Sequence, residues 1–326
     1  MKAVVYHEYG SPDVLRFEDI EKPAPKEHEV LVKLHAASAN PLDWHFMRGA
    51  PFLARLESGL FKPKETKLGA DIAGQVEAVG NRVTQFQPGD DVFGNTFGHG
   101  LGAFAEYVCI HEENTLALKP ANLSFSEAAA VPTAALTALQ GLRKGQIQSG
   151  QKVLINGASG GVGTFAIQIA KSFETEVTGV CSARNLNLVR SIGADHVIDY
   201  TREDFTQNGG HYDLIYCAVG NRSISDSMRA LTPHGVCVIA GFTTLPLLFE
   251  HMILGPRRSK VGGKQVGRME TVEPNKKDLV FVKELIEAGK ILPVIDKAYP
   301  LNEVPEAIRY LETGRARGKV VIEMAA

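Results

Sequence analysis

The sequence is 326 residues long, enough for two domains that each bury a core. Lys and Arg total 35 against 37 Asp and Glu, a net charge of −2, so no electrostatic pull toward nucleic acid or anionic lipid is expected and small neutral or weakly charged molecules remain as ligands. The four cysteines, Cys109, Cys181, Cys217 and Cys237, are far apart with no C-x-x-C pair, and no apolar run approaches the roughly 20 residues that span a bilayer.

Met1 runs directly into the strand pattern Lys2-Ala3-Val4-Val5-Tyr6 with no signal-peptide core, and free thiols fit a reducing compartment, so a soluble cytoplasmic protein is expected. Short strands divided by Gly and Pro follow to about residue 122: Glu29-Val30-Leu31-Val32-Lys33-Leu34, Asp71-Ile72-Ala73-Gly74-Gln75-Val76 and Ala105-Glu106-Tyr107-Val108-Cys109-Ile110. Gln87-Pro88-Gly89-Asp90 punctuates them as a turn, because Pro fixes one dihedral and Gly supplies the next. A compact β-rich unit is predicted. Phe97-Gly98-His99-Gly100-Leu101-Gly102-Ala103-Phe104 has two readings, a hairpin connection or a loop that closes over substrate with Phe97 and Phe104 lining the slot.

Near Leu118 to Leu123 the texture changes, with Ser124 or Ser126 placed to cap the helical run Glu127-Ala128-Ala129-Ala130. Beyond it strands and helices alternate through Lys152–Asn156, Glu176–Cys181, His196–Tyr200, Tyr212–Cys217 and Gly235–Ala240, which predicts a parallel sheet covered on both faces. The patch Pro256-Arg257-Arg258-Ser259-Lys260 reads as a solvated loop. An amphipathic helix over Asp278 to Ala288, with Leu279, Val282, Leu285 and Ile286 on one face, is stopped by Gly289. The closing strand Gly318-Lys319-Val320-Val321-Ile322 resembles the first unit, so the domains are drawn as 1–122 with 268–326, and 123–267.

The strand Lys152–Asn156 leads into Gly157-Ala158-Ser159-Gly160-Gly161-Val162-Gly163 and then an apolar helix. Ala158, Gly160 and Gly163 take the three small positions of the G-x-G-x-x-G spacing, which lets a diphosphate approach the backbone at a helix N-terminus. Ser159, Gly160, Gly161 and Val162 are the expected contacts. About 20 residues on, where an NAD site places an acid for the ribose 2′-hydroxyl, the chain reads Val180-Cys181-Ser182-Ala183-Arg184. Ser182 as donor and Arg184 as cation suit a 2′-phosphate, so NADP(H) is favoured over NAD(H). Tyr200 either lies beside that phosphate or packs at the adenine edge. Ala218 and Val219, and Ala240, Gly241 and Phe242, end strands that flank the two halves of the nucleotide.

With these residues placed, the chain resembles the medium-chain dehydrogenase/reductase superfamily, in its zinc-free quinone oxidoreductase and alkenal (enone) reductase branch. The resemblance rests on Asn40-Pro41-Leu42-Asp43-Trp44, Gly69-Ala70-Asp71-Ile72-Ala73-Gly74, Pro88-Gly89-Asp90-Asp91-Val92, Ala128-Ala129-Ala130-Val131-Pro132 with Thr137-Ala138, the glycine turn and Ile192-Gly193-Ala194-Asp195. It implies an α/β chain with a Rossmann-type doubly wound domain, a GroES-like catalytic domain built from both chain ends, an active site in the cleft between them, and a homodimer. Zinc-dependent members hold a catalytic metal with two cysteines and a histidine. Asn40, Ala70 and Thr133 fall at or near those positions, so no metal is expected.

Loss of a Lewis acid removes the route by which an alcohol is oxidised, whereas reduction of a quinone or an α,β-unsaturated carbonyl needs a hydride, hydrogen-bond donors and a proton from water. Asn40 then reads as an amide donor to a substrate oxygen or the nicotinamide ribose, or as a turn former before Pro41. Asp43 orients its neighbours. His45 stands where the resemblance implies a relay or a ribose contact, with a surface histidine as the plain reading. Trp44 walls the substrate slot or packs in the core. Thr137 is carried over as a nicotinamide contact, against helix packing, and Lys319 reaches the diphosphate or is an exposed lysine. The rival readings are a metal-free alcohol or aldehyde reductase and a non-catalytic NADPH-binding sensor or partner-binding protein.

Overall fold

The alternating runs of the first third become strands. The computed structural model describes residues 1–50, 55–98, 100–258, 263–269 and 272–325. In chain order they are β1 (Lys2–Val5), β2 (Arg16–Asp19), β3 (Glu29–Ala39), then helices α1 (Pro41–Arg48) and α2 (Arg55–Ser58), then β4 (Asp71–Val79), β5 (Asp91–Asn95), β6 (Tyr107–His111), β7 (Leu116–Leu118) and helix α3 (Phe125–Ala129). β3 is long because it is paired along both edges: β4 runs beside it over most of its length and β6 takes the other edge from Glu29 to Lys33. Its inward residues Val30, Val32 and Leu34 join Ile72, Val76, Val92 and Phe104 in one core.

The middle of the chain alternates as α4 (Pro132–Lys144), β8 (Lys152–Asn156), α5 (Gly161–Ser172), β9 (Glu176–Cys181), α6 (Leu186–Ser191), β10 (His196–Asp199), β11 (Tyr212–Cys217), α7 (Ile224–Ala230), β12 (Leu231–Ile239), α8 (Leu245–Arg258) and β13 (Gln265–Met269). The sheet order is β10-β9-β8-β11-β12-β13 and every pairing is parallel. Chain order therefore runs outward from β8 to β10, then returns and runs outward from β11, which is the doubly wound nucleotide-binding topology. The reversal lies between β8 and β11. Residues 256–258, expected in a solvated loop, instead end α8; Ser259 and Lys260 lie outside the described residues.

The tail supplies α9 (Lys276–Glu287), β14 (Ile295–Pro300), α10 (Val304–Glu312) and β15 (Lys319–Glu323). β15 pairs antiparallel with β3, completing the sheet β14-β15-β3-β4-β5-β7, and α10 seals it with fully buried Val304, Ala307 and Ile308. The first unit comprises Met1–Thr133, Pro274–Ala288 and Pro293–Ala326, and the second Ala134–Glu273 and Gly289–Leu292. These junctions lie beyond the texture changes at 122/123 and 267/268, for a packing reason. Ser124 caps α3 as a reciprocal box with Glu127, but α3 packs on β3, β4, β5 and β15 and so belongs to the first unit. Among the described residues no helix is long and apolar enough to cross a membrane.

Candidate active site

In the first unit the strand register brings polar side chains to one end of the sheet. Ser38 near the end of β3 stands opposite Asp71, the first residue of β4, and Asp71 stands opposite Asn95, the last of β5. β15 begins beside them with Lys319. Asp71 is fully buried and accepts six hydrogen bonds. Asn95 Nδ2 at 2.9 Å and the Thr133 amide and hydroxyl at 2.8 and 2.6 Å serve Oδ1. Ser38 Oγ at 2.9 Å, Asn40 Nδ2 at 3.0 Å and Lys319 Nζ at 3.2 Å serve Oδ2. A buried carboxylate is tolerated only when so compensated.

This knot changes the reading of two predicted residues. Asn40 Nδ2 spends its donors on Asp71 and on the Ser38 carbonyl oxygen at 3.2 Å, while Oδ1 accepts from Lys319 Nζ at 2.6 Å. An amide has two donor hydrogens. Asn40 is therefore not free to donate to a substrate oxygen; it is part of the frame. Lys319 is neither an exposed lysine nor a diphosphate ligand, since its side chain is 4% exposed and its ammonium is held by Asn40 and Asp71. Of the three positions implied as former metal-ligand sites, Asn40 and Thr133 both serve Asp71, and Ala70 is buried immediately before it.

The frame fixes α1. Asp43, fully buried, accepts from the Asn40 amide at 2.7 Å and the Gly69 amide at 2.9 Å, tying the first turn of the helix to the turn before β4. Gly69 must be glycine there: its φ is +88°, and a Cβ would stand 2.9 Å from the Phe104 ring and Ala103. Burial, opposed by those two amide bonds, pushes the Asp43 carboxyl up to about 7. The far end of α1 is held by the Arg48–Glu312 ion pair. Between them Trp44 and His45 stack with ring centroids 3.7 Å apart, both half-buried. His45 Nδ1 lies 2.7 Å from the Ala50 carbonyl oxygen, which can only accept, so Nδ1 carries the hydrogen.

A cavity of about 260 Å³ lies in the same unit, walled by Phe46 of α1, Phe97 and Leu101. Phe97 thus lies where a ligand-lining residue is expected, with its ring 6.4 Å from that of Phe46. Phe104 does not. Its ring is 1% exposed in the core beneath Gly69, because the alternation of the following strand turns it inward. His99, in the predicted loop, lies outside the described residues.

In the second unit the nucleotide-site residues gather at the carboxyl ends of the parallel strands. Gly160 is the N-cap of α5 and offers no side chain, so the first-turn amides of Gly161, Val162 and Gly163 face outward where an anion is favoured. A Cβ at Gly163 would collide with the Gly157 carbonyl oxygen and stand 2.8 Å from Ala158 Cα, which is why the helix can pack this close only with glycine. At the reversal point Asn156 Nδ2 donates to the Val219 carbonyl oxygen at 2.7 Å and to Asn221 at 2.9 Å, holding the Ala218 and Val219 strand end. Asn185 Nδ2 donates to Ser159 Oγ at 2.8 Å. Neither asparagine was foreseen; a lone polar residue closing the apolar run Val153-Leu154-Ile155 was the available signal for Asn156.

Ser182 is half-buried and Arg184 exposed at the end of β9, with no acid between Cys181 and Asn185. The acid ending the adjacent strand, Asp199, accepts from the Thr201 hydroxyl and amide, which holds its carboxyl below the usual range. Tyr200 is 55% exposed and so not packed. Ala240, Gly241 and Phe242 follow β12, with Gly241 accepting from the Gly220 amide. Thr137, half-buried on α4, accepts from the Tyr216 hydroxyl through its carbonyl oxygen at 3.1 Å. Among the described residues no group of three or more His, Cys, Asp or Glu side chains is placed to hold a metal ion.

Residues 26–120 match the family described as alcohol dehydrogenase GroES-like domain, and residues 192–322 the family described as zinc-binding dehydrogenase. The chain belongs to the medium-chain dehydrogenase/reductase superfamily, in its quinone oxidoreductase and enone reductase branch. It is 38% identical to the 2-methylene-furan-3-one reductase of Solanum lycopersicum, over 99% of this chain and 79% of that protein. It is 35% identical to the chloroplastic NADPH-dependent alkenal/one oxidoreductase of Arabidopsis thaliana, with the same coverage. Among solved structures, the quinone oxidoreductase of Coxiella burnetii superposes with a TM-score of 0.84 at 31% identity, covering 100% of this chain and 99% of that one.

Proposed function

We propose that the protein is an NADPH-dependent oxidoreductase that delivers hydride to quinones or α,β-unsaturated carbonyls without a metal. The observation that carries the reading is the Asn40–Asp71–Lys319 knot. At the positions where the resemblance implies that metal-dependent relatives grip zinc, this chain has an amide, a methyl and a hydroxyl, and the amide and hydroxyl are hydrogen-bonded to a carboxylate that also holds the Lys319 ammonium. Zinc is held by thiolate, imidazole or carboxylate, and an ammonium bonded to Asn40 and Asp71 repels a cation brought beside them. These residues do not fit the metal named in the second family's description.

They do fit a dinucleotide in the second unit. Gly161, Val162 and Gly163 present amides to the diphosphate, and Ser182 with Arg184 takes the 2′-phosphate. When bound, NADPH supplies the hydride. The chain's own contribution is to position and to move protons. The knot and Asp43 fix α1, and His45, oriented by its bond to Ala50, keeps Nε2 for proton traffic with solvent. An enone or quinone is electrophilic enough to accept hydride with hydrogen-bond support alone. We also place the protein in the cytoplasm as a homodimer, its four free cysteines, three of them buried, suiting a reducing compartment.

The test is consumption of NADPH by purified protein offered a quinone, a short alkenal and a simple aldehyde, before and after dialysis against a zinc chelator. Turnover of quinone or alkenal that survives dialysis is expected. Aldehyde turnover alone, or activity lost with the metal, refutes the proposal.

A further inference from the structure

The 260 Å³ cavity of the first unit is lined by Phe46, Phe97 and Leu101, by Ser58, Lys64 and Glu65, and by one tyrosine. Tyr6, the residue after β1, is 2% exposed and its ring lines the cavity. Its amide is paired with the Thr66 carbonyl oxygen at 2.9 Å, but its hydroxyl has no hydrogen-bond partner among the described residues. Tyr9, the tyrosine three residues on, shows the usual pattern by contrast: its hydroxyl donates to the Gly59 carbonyl oxygen and meets Ser58 Oγ at 2.9 Å. Almost all of the residue is sealed from solvent, yet its hydroxyl is not among the fully enclosed polar atoms, so it is open to whatever fills the cavity and can donate one hydrogen bond there.

The surroundings say what that something is. Phe46, Phe97 and Leu101 form apolar walls, with Ser58 and the exposed Lys64 and Glu65 beside them, so the part of the guest that meets the rings is apolar. A cavity of about 150 Å³ admits benzene, so this one takes a single six-membered ring with a short substituent, or an alkenal of similar bulk. Tyr6 is kept as a donor by its setting, since burial and the charges of Glu65 and Asp43 all oppose loss of its proton. The guest must therefore offer an acceptor oxygen. We infer that the cavity is the acceptor-substrate site, that it selects monocyclic or short-chain enones and quinones, and that the Tyr6 hydroxyl donates a hydrogen bond to the substrate carbonyl oxygen. This inference rests on the function proposed above and assigns a residue and a substrate size to it. The donor is in place before hydride arrives and strengthens its hold as negative charge gathers on that oxygen.

Two ligands and one substitution test it. Tyr6→Phe keeps the ring and removes only the unpartnered hydroxyl, so its urea midpoint should equal or exceed that of the wild type. Binding of 2-cyclohexenone and of cyclohexene, measured by calorimetry with NADP+ present, separates the oxygen from the ring. The variant should bind cyclohexenone roughly tenfold more weakly, the loss of one hydrogen bond, and cyclohexene and NADP+ as tightly as the wild type. The carbonyl stretch of bound cyclohexenone should be lowered in the wild type and restored toward its free frequency in the variant. Equal cyclohexenone affinity in the two proteins, equal weakening for both ligands, or no binding to the wild type overturns the inference. Selective weakening without any NADPH consumption by the wild type would keep the site and overturn the proposed function instead.

Discussion

Replacing Lys319 by methionine keeps the stem of the side chain and deletes an ammonium that lies 3.2 Å from Asp71 Oδ2 and 2.6 Å from Asn40 Oδ1. Removing one member of a buried ion pair costs about 3–5 kcal/mol, because the remaining charge is left uncompensated. Asp71 keeps its bonds from Ser38, Asn40 and Asn95 and both bonds from Thr133, so the lower end, about 3 kcal/mol, is expected. The only tryptophan, Trp44, lies on α1 just past Asn40, so its fluorescence during urea unfolding reports on this unit. With a urea dependence of about 2 kcal/mol per molar, the midpoint should fall by about 1.5 M. The double variant Lys319→Met, Asp71→Asn removes both charges and should be more stable than Lys319→Met alone. A midpoint change below about 0.5 M, or a double variant no better than the single one, would show that the pair is not what holds α1.

Asp43 predicts a pH dependence. With its carboxyl raised from 3.8 to about 7, chiefly by burial, the folded protein keeps a proton that the unfolded chain releases above about pH 4. The stability this group lends is complete in acid and is lost as the pH rises to about 7, by roughly 4 kcal/mol, and urea titrations of Asp43→Asn should lack that slope. Gly163→Ala forces the first turn of α5 away from Gly157, and NADPH titrated by its fluorescence should bind at least tenfold more weakly; unchanged binding refutes the packing argument. Arg184→Ala should raise the KM for NADPH by about tenfold or more and leave that for NADH unchanged, which steady-state kinetics with both cofactors will decide.

How far the sequence could be read depended on the distance over which its signals act. The parallel sheet was legible because strand, glycine turn and helix follow one another within a few residues. α8 was not, because Pro246 and the Gly255-Pro256 pair look like breaks; in fact Pro246 occupies the first turn, where no amide is missed, and the helix continues to Arg258. The importance of position 40 was readable, but its role was not. Asn40 finds its partners 31 residues away at Asp71 and 279 away at Lys319, and nothing local says that they exhaust its donors. Phe104 was misplaced because a glycine-rich approach looked like a loop tip, while the ring packs under Gly69 at a spot only a glycine leaves open. Tyr6 passed as an ordinary strand residue, since an unsatisfied hydroxyl is visible only when its neighbours are.

The crowding of six donors on Asp71 also bears on which exchanges this corner of the protein tolerates. Building a zinc site at the positions the resemblance implies would require a sulfur at position 40, an imidazole in place of the fully buried Ala70, and a sulfur at or near Thr133. Taken one at a time, each exchange at 40 or 133 strips a carboxylate of its support before any metal affinity appears. A ligand set introduced there would need a replacement partner for Asp71 in the same step.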